Sequence, residues 1–186
     1  MSILTLAVAT LCPTLMPAQS DGGPSYNYFQ FDVGQLRHNE LDDNVDVLGI
    51  AASFELSDAV FLYADYGDST ANVGGMQSDV TALDIGLGAF VEIASNVDLF
   101  ASAGFVSADS DLGGDENGHV IGAGLRAKAS DQLELNAGMK KTSTGEEDSA
   151  LWAGAVFSLN ANLGLSARFT NGDDYDGIMI GLRLYL

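Results

Sequence analysis

The feature that most constrains this chain is an alternation of apolar residues with small or polar ones, repeated along most of its length. Side chains of a β-strand point alternately to its two faces, so a period of two predicts strands. The clearest segment places Leu83, Ile85, Leu87, Ala89 and Val91 on one face and Asp84, Gly86, Gly88, Phe90 and Glu92 on the other. Ten such segments occur, and they begin near Tyr28, Val47, Val60, Leu83, Val97, Val120, Leu133, Ala150, Leu163 and Gly177.

The two faces of these segments differ in a way that indicates a membrane protein. The apolar face carries no charged residue in any segment, whereas the other face is rich in Gly, Ala, Ser and aromatic residues with scattered charges. A soluble barrel or sandwich would turn its apolar face inward and cover its outside with Lys, Glu and Thr. In a membrane the sheet must close, because open edges would leave backbone groups unpaired in hydrocarbon. We therefore predict an all-β fold, a closed antiparallel up-and-down transmembrane barrel of ten strands, with eight as the alternative count.

Composition narrows the classes of partner. The chain has 26 Asp and Glu against 7 Lys and Arg, a formal net charge of −19 at pH 7. So acidic a surface repels nucleic acid, which we exclude as a partner. The sequence contains no phosphate-binding loop and no metal-spaced Cys and His set, so we expect no cofactor.

The first twenty residues have the pattern of an export signal. An apolar run from Ile3 to Cys12 is followed by two prolines, and Ala18-Gln19-Ser20 would suit a signal peptidase. The usual basic residue is missing, since the first one is Arg37, so the true start lies upstream of Met1 or the signal is atypical. We predict a signal peptide at residues 1–20 and an outer-membrane barrel at residues 21–186.

The connections between segments alternate in length. Short turns, such as Leu56–Ala59 and Ala94–Asn96, alternate with longer acidic connections. The longer ones are Arg37–Asn44, Gly67–Asp79, Ser107–Gly118, Thr142–Asp148 and Asn171–Asp176. Outer-membrane barrels keep short turns in the periplasm and long loops outside, so we expect extracellular loops and periplasmic termini.

Most of the basic residues fall on the predicted lumen face. They are Arg126, Lys128, Lys140, Arg168 and Arg183. Counting across the turns places Glu92 opposite Asp98 and Lys128 opposite Glu134, so we expect a belt of Glu92, Asp98, Arg126, Lys128 and Glu134. The belt has two interpretations: a salt-bridged plug that satisfies a polar lumen, or a charge filter in a narrow pore.

Other polar clusters give no defined site. The acidic connections could associate with divalent cations, but their spacing does not match an EF-hand, and we predict no metal site. His38 with Asp42, or His119 with Asp115, could form a general base at a barrel rim. No catalytic motif accompanies them, so we predict no enzyme. The aromatic residues near segment ends are interpreted as membrane-interface girdles: Tyr26, Tyr66, Phe105, Phe169 and Tyr185.

Two stretches carry a resemblance to a known superfamily. The C-terminal sequence, in which Gly181, Leu184 and Leu186 keep the characteristic spacing, resembles the signal that outer-membrane assembly machinery recognises. The stretch SFELSDAVFLYADYG at Ser53–Gly67 resembles small outer-membrane barrels of xanthomonads, in the broad neighbourhood of OmpX- and OmpA-type barrels. The resemblance implies a monomer in the bacterial outer membrane, in contact with lipid and lipopolysaccharide, which is delivered by periplasmic chaperones and inserted by the assembly machinery. A structural or surface-interaction role, a narrow porin-like channel and an enzyme are the three functions it leaves open, in that order.

Overall fold

The computed structural model describes residues 23–38, 44–73, 76–111, 114–144 and 146–186. Ten β-strands occupy almost all of this part of the chain. They are β1 (Tyr28–His38), β2 (Asn44–Ser57), β3 (Val60–Val73), β4 (Met76–Ala94), β5 (Val97–Ser110), β6 (Gly114–Lys128), β7 (Leu133–Thr144), β8 (Glu146–Asn160), β9 (Leu163–Gly172) and β10 (Tyr175–Tyr185). The predicted signal peptide, residues 1–20, lies outside the described residues.

Each strand pairs antiparallel with its neighbours in sequence, and β1 pairs with β10, so the sheet closes into a barrel. The closing register runs from Tyr28 opposite Tyr185 to His38 opposite Tyr175. The prediction of a closed, ten-stranded antiparallel barrel is therefore confirmed, and the alternative count of eight is wrong. Within the described part of the chain, no helix is long and apolar enough to cross a membrane.

The apolar face of every strand points outward, as predicted. Leu83, Ile85, Leu87 and Val91 are 42–55% exposed on the outside, while Asp84 between them is 1% exposed inside. On each strand the outward apolar residues end at a definite position, such as Leu83 on β4 and Leu151 on β8, beyond which polar residues follow. We call the zone between these limits the apolar band. Its lack of charge is that of a surface that contacts lipid.

The two ends of the barrel differ. We call the end with the turns at 58–59, 95–96 and 161–162 the terminal end, because Tyr28 and Tyr185 lie there, and the opposite end the distal end. At the distal end the strands continue past the apolar band, as Met76–Ala82 of β4 do beyond Leu83.

Within the described residues, the long acidic loops predicted for the distal end are mostly strand; most of the predicted loop at Arg37–Asn44 lies outside them. Val73 of β3 pairs with Met76 of β4, and Ser110 of β5 pairs with Gly114 of β6, inside segments that were expected to be loops. Glycine and aspartate made these segments look like turns, but their backbones continue the sheet. Side-chain pairs such as Thr70 with Asp79, at 2.9 Å, accompany the extended pairing.

Candidate functional site

The barrel lumen contains the charged residues singled out from the sequence, and it is filled by side chains. We distinguish an aromatic layer, which has most of its residues near the terminal end, an ionic layer, and an aliphatic layer toward the distal end, each defined below. Arg126, Arg183, Tyr28 and Phe61 are each at most 1% exposed. Water therefore does not reach these side chains, and the lumen at their level is packed as a core.

The aromatic layer consists of Tyr26, Phe61, Tyr63, Phe90, Phe100 and Trp152. Tyr26 precedes β1 and inserts its ring into the lumen, where it stacks on Phe61 with centroids 4.1 Å apart and an interplanar angle of 12°. Phe90 lies against the same ring at 4.5 Å. Stacked aromatic rings bury large areas in a defined geometry, so this layer obstructs the lumen.

The girdle interpretation is wrong for two of the five aromatic residues. Tyr26 is fully buried in the lumen, and Tyr185 points inward and packs against Tyr28 and Val156. Tyr66, Phe105 and Phe169 do lie on the outside, where they are 39%, 80% and 47% exposed. Tyr26 escaped the sequence argument because it stands before the first alternating segment.

The expected charge belt near the terminal end is only partly assembled. The register places Glu92 opposite Asp98, Asp98 opposite Arg126 and Lys128 opposite Glu134. Arg126 forms a buried ion pair with Glu134, and its guanidinium carbon lies 5.7 Å from the centroid of the Tyr26 ring.

The remaining two members of the belt lie at its margin. Glu92 is exposed, and Lys128 is half-buried beside a cavity of about 290 Å³ at the terminal mouth. Neither forms an ion pair with another described residue. The charged groups of Glu92 and Lys128 lie close to water. The buried part of the belt therefore consists of Arg126, Glu134 and Asp98.

The ionic layer lies in the middle of the lumen and is built around Asp32. Gln30 donates to both carboxylate oxygens of Asp32, at 2.9 and 2.7 Å, and Ser166 donates to one of them at 3.1 Å. Arg168 Nη2 lies 3.7 Å from Asp32 Oδ2. Arg183 donates from Nε to Gln30 Oε1 at 2.7 Å, and its guanidinium covers the Tyr28 ring at 4.2 Å. An ion pair thus holds Arg168 in place, while a hydrogen bond and a cation–π contact hold Arg183.

A second ion pair of the ionic layer joins Lys140 on β7 to Asp84 on β4. Lys140 Nζ lies 3.2 Å from Asp84 Oδ2, across the lumen between strands that are not neighbours. Asp65 lies directly opposite Asp84 in the β3–β4 register and is 2% exposed. The alternation put Asp84 on the inward face, but it did not indicate which base Asp84 meets.

The aliphatic layer fills the lumen toward the distal end. Its main cluster consists of Leu36, Val45, Val47, Ala150, Tyr175 and Met179, and a second cluster of Ala82, Val106 and Ala108 lies on the β4–β5 wall. All of these residues are buried. The ionic layer is therefore enclosed between an aromatic and an aliphatic layer.

Gly181 of the predicted assembly signal has a definite place in the lumen. It lies opposite Asp32 in the β1–β10 register. A Cβ at this position would collide with Asp32 Oδ1 and the Phe31 carbonyl and would lie 2.7 Å from Ser166 Oγ. Leu184 and Leu186, by contrast, are 43% and 64% exposed on the outside. The residue type at position 181 is thus required by the ionic layer, independently of any role in assembly.

The charged groups of the distal end lie beyond the apolar band. The carboxylate of Asp115 on β6 faces Asp109 on β5 and raises the pKa of Asp109. Lys141 donates to Glu147 at 2.6 Å, and this hydrogen bond together with the positive charge lowers the pKa of Glu147. Among the described residues, no three His, Cys, Asp or Glu side chains are grouped closely enough to hold a metal ion.

The two histidine pairs considered for a general base have different outcomes. His119 and Asp115 both lie on β6, four residues apart, which in a strand corresponds to about 13 Å. They therefore do not form a hydrogen-bonded pair. His38 ends β1, and its suggested partner, Asp42, lies outside the described residues.

No protein-family model matches the chain, and no curated protein sequence matches it either. Among solved structures, a KdgM porin in complex with disordered oligogalacturonate superposes with a TM-score of 0.52 at 6% identity, over 84% of this chain and 99% of that chain. An outer-membrane channel from Pseudomonas putida F1 gives a TM-score of 0.52 at 11% identity, over 93% and 98%. Neisserial surface protein A gives 0.50 at 15% identity, over 86% and 96%.

At these identities the likeness concerns the fold. It supports an outer-membrane barrel but does not reach the narrower resemblance to OmpX-, OmpA- or xanthomonad-type barrels, which stays a prediction. The apolar band, the closed register and these neighbours lead to one conclusion: the chain has the fold of a transmembrane β-barrel of the outer-membrane type.

Proposed function

We propose that this protein is a structural or surface-interacting barrel of the bacterial outer membrane, with a lumen that is closed to solutes. The observation that carries the proposal is the succession of three packed layers in the lumen. Even its largest charged side chains, Arg126 and Arg183, are buried. A pore for solutes would expose such residues to water. The protein then acts through its two ends and its lipid-facing surface.

The asymmetry of the wall supports an orientation with the terminal end in the periplasm. An even number of strands brings both ends of the barrel chain to the terminal end, which faces the periplasm in outer-membrane barrels. The distal end, with its extended strands and acidic residues, then faces outward beside lipopolysaccharide. Export by a signal peptide at residues 1–20, delivery by periplasmic chaperones and insertion by the assembly machinery through the Gly181, Leu184 and Leu186 motif complete this proposal. The mature protein is a monomer, and it is related to the xanthomonad-type or OmpX-like barrels.

The conductance of the purified protein in planar bilayers tests the closed lumen. We expect no steady current steps above those of protein-free bilayers. Heat-modifiable gel mobility, checked on the same preparation, shows that the barrel is folded. Defined single-channel steps from folded protein would contradict the proposal.

A narrow channel is the second candidate function. The ionic layer favours it, because charged groups of both signs line the middle of the lumen. Two of the structural neighbours named above are described as a porin and a channel. If the parent protein conducts, Lys140→Met should increase its preference for cations, since Asp84 would lose its counter-charge. An enzymatic role has no such observation in its favour.

Labelling on intact cells tests the orientation. Cysteine introduced at Asp109, which is exposed at the distal end, should react with a membrane-impermeant thiol reagent added outside the cell. Cysteine at Ser130, which is exposed at the terminal end, should react only after the outer membrane is permeabilised. The reverse pattern would show that the barrel is inserted in the opposite sense.

A further inference from the structure

A buried carboxylate lies at the distal end of the lumen, beyond the apolar band. Asp148 is near the start of β8, on the distal side of Leu151, the limit of the apolar band on that strand. Its side chain points inward, is 7% exposed, and lies opposite Thr142 of β7 in the register. Asp148 Oδ2 and Thr142 Oγ1 have no hydrogen-bond partner among the described residues. This carboxylate has therefore left water without gaining full compensation.

The turn between β9 and β10 is docked on this part of β8. The backbone N–H of Ser149 donates to Asp173 Oδ2 at 3.0 Å. The backbone of Asp173 in turn hydrogen-bonds to the carboxyl group of Asp148. These two contacts tie the turn to β8. Tyr175, the first residue of β10, follows the turn directly and belongs to the aliphatic layer.

The charges that face Asp148 are unbalanced. Asp173 and Asp174 approach it from the turn, and Lys140 approaches it from β7. Lys140 is already paired with Asp84 at 3.2 Å. Burial and the neighbouring carboxylate of Asp173 raise the pKa of Asp148 to about 6. His38 of β1 lies opposite Tyr175 in the register. Asp176, which also follows the turn, is paired with Arg37 of β1 at 2.8 Å.

We propose that Asp148 and the β9–β10 turn form an acid-closed latch over the distal end of the lumen. With Asp148 protonated, its carboxyl group no longer repels Asp173 and Asp174, and the turn packs on β8. With Asp148 ionised, three carboxylates face one another, and the turn moves away from β8. Movement of the turn exposes Tyr175 and with it the edge of the aliphatic layer.

The direction of the pH dependence follows from proton binding. Asp148 in the closed contact binds its proton more tightly than an ordinary aspartate, so the closed form takes up protons relative to the open form. Acid therefore favours closure, and raising the pH through about 6 favours opening. The proposal adds regulation to the barrel described above and rests on the fold alone, so it does not depend on whether the lumen conducts.

A fluorophore beside the turn tests the latch. We would replace Cys12 with Ser, attach an environment-sensitive dye to cysteine introduced at the exposed Asn171, and record its emission from pH 4.5 to 8 in folded, lipid-reconstituted protein, a range that brackets about 6. The parent should show one transition near pH 6. Asp148→Asn, which mimics the protonated acid, should lose the transition and keep the acid signal at every pH. Asp173→Asn, which removes a repelling charge but keeps an acceptor for Ser149, should move the midpoint to lower pH.

Two control variants separate this transition from other titrations. Asp109→Asn removes a carboxylate at the same end of the barrel but outside the contact, and should behave as the parent does. His38→Gln should also keep the transition, although histidine side chains change charge in the same pH range. An emission that is independent of pH in the parent, or a transition that persists in Asp148→Asn or disappears in His38→Gln, overturns the latch. If Asp148→Asn fails to fold, the test rests on Asp173→Asn, and an unchanged midpoint of its emission transition overturns the latch.

Discussion

Arg126 forms its ion pair with Glu134, although the residue directly opposite Glu134 in the register is Lys128. Arg126 lies deeper in the lumen, with no exposed side-chain surface, and needs a counter-charge there. Lys128 is half-buried at the terminal mouth, where water solvates its ammonium group. Depth in the lumen, and not position in the register, thus decides which base binds the glutamate.

The difference in depth predicts unequal effects of removing the two bases. Arg126→Met removes the buried base from Glu134 and Asp98 and should cost about 3–5 kcal/mol in the free energy of unfolding. Lys128→Met should cost at most about 1 kcal/mol, since the side chain forms no buried pair. Urea unfolding in lipid vesicles measures both. Equal effects would mean that the Arg126 pair contributes little.

The apolar band predicts a dependence on depth for outward charges. Leu87→Arg, in the middle of the band on β4, should destabilise the barrel by about 2–4 kcal/mol. Leu83→Arg, on the same face at the distal limit of the band, should cost about 0–1 kcal/mol. The measurement is again reversible unfolding in vesicles. If both variants lost the same stability, the outer face would not be in contact with lipid.

Gly181→Ala separates a structural role from an assembly role. The added methyl group would collide with Asp32 and the Phe31 carbonyl, so we expect a loss of about 1–3 kcal/mol. The defect should appear in refolding from urea into vesicles without any assembly factor. Leu184→Ala, which lies outside the lumen, is the matched control and should refold nearly as the parent does. Normal refolding of Gly181→Ala would mean that the glycine serves the assembly signal alone and has no structural role in the lumen.

Two carboxylates beyond the apolar band should have pKa values that are shifted in opposite directions. The pKa of Asp109 is raised by the Asp115 carboxylate, and the pKa of Glu147 is lowered by Lys141. Carboxyl-carbon NMR titration of the protein in detergent should show both shifts. Asp115→Asn should return the pKa of Asp109 toward the ordinary aspartate value and leave the pKa of Glu147 unchanged. Lys141→Met should return the pKa of Glu147 toward the ordinary glutamate value and leave the pKa of Asp109 unchanged. A variant that moves both resonances would indicate a general change in the distal end.

The fold was predictable because one local rule extends through the whole chain. The alternation at Leu83–Val91 assigns an outer and an inner face to β4, and the same rule applied to each segment produces the ten-stranded barrel. The distal extensions were missed because residues such as Gly114 and Asp115 are typical of loops, whereas here the pairing with β5 continues through them.

The contents of the lumen were only partly predictable. Alternation tells which side chains point inward but not which of them meet across the barrel. Lys140 and Asp84 lie on β7 and β4, and only closure of the sheet and the length of the lysine side chain bring them together. Tyr26 was wrongly assigned to the interface, because it belongs to no strand and its position depends on the rings of Phe61 and Phe90.

The aromatic layer contains the single tryptophan of the chain, Trp152, with its ring centroid 6.2 Å from that of Phe100. In most outer-membrane barrels tryptophan near the interface reports contact with lipid. Here the indole faces the interior, 5% exposed, so its intrinsic fluorescence reports the packing of the lumen instead. Quenchers attached to lipid chains should leave this emission largely unaffected, while loosening of the aromatic layer should shift it to longer wavelength. The native chain thus carries its own optical probe, with which closure of the interior can be followed separately from insertion into the bilayer.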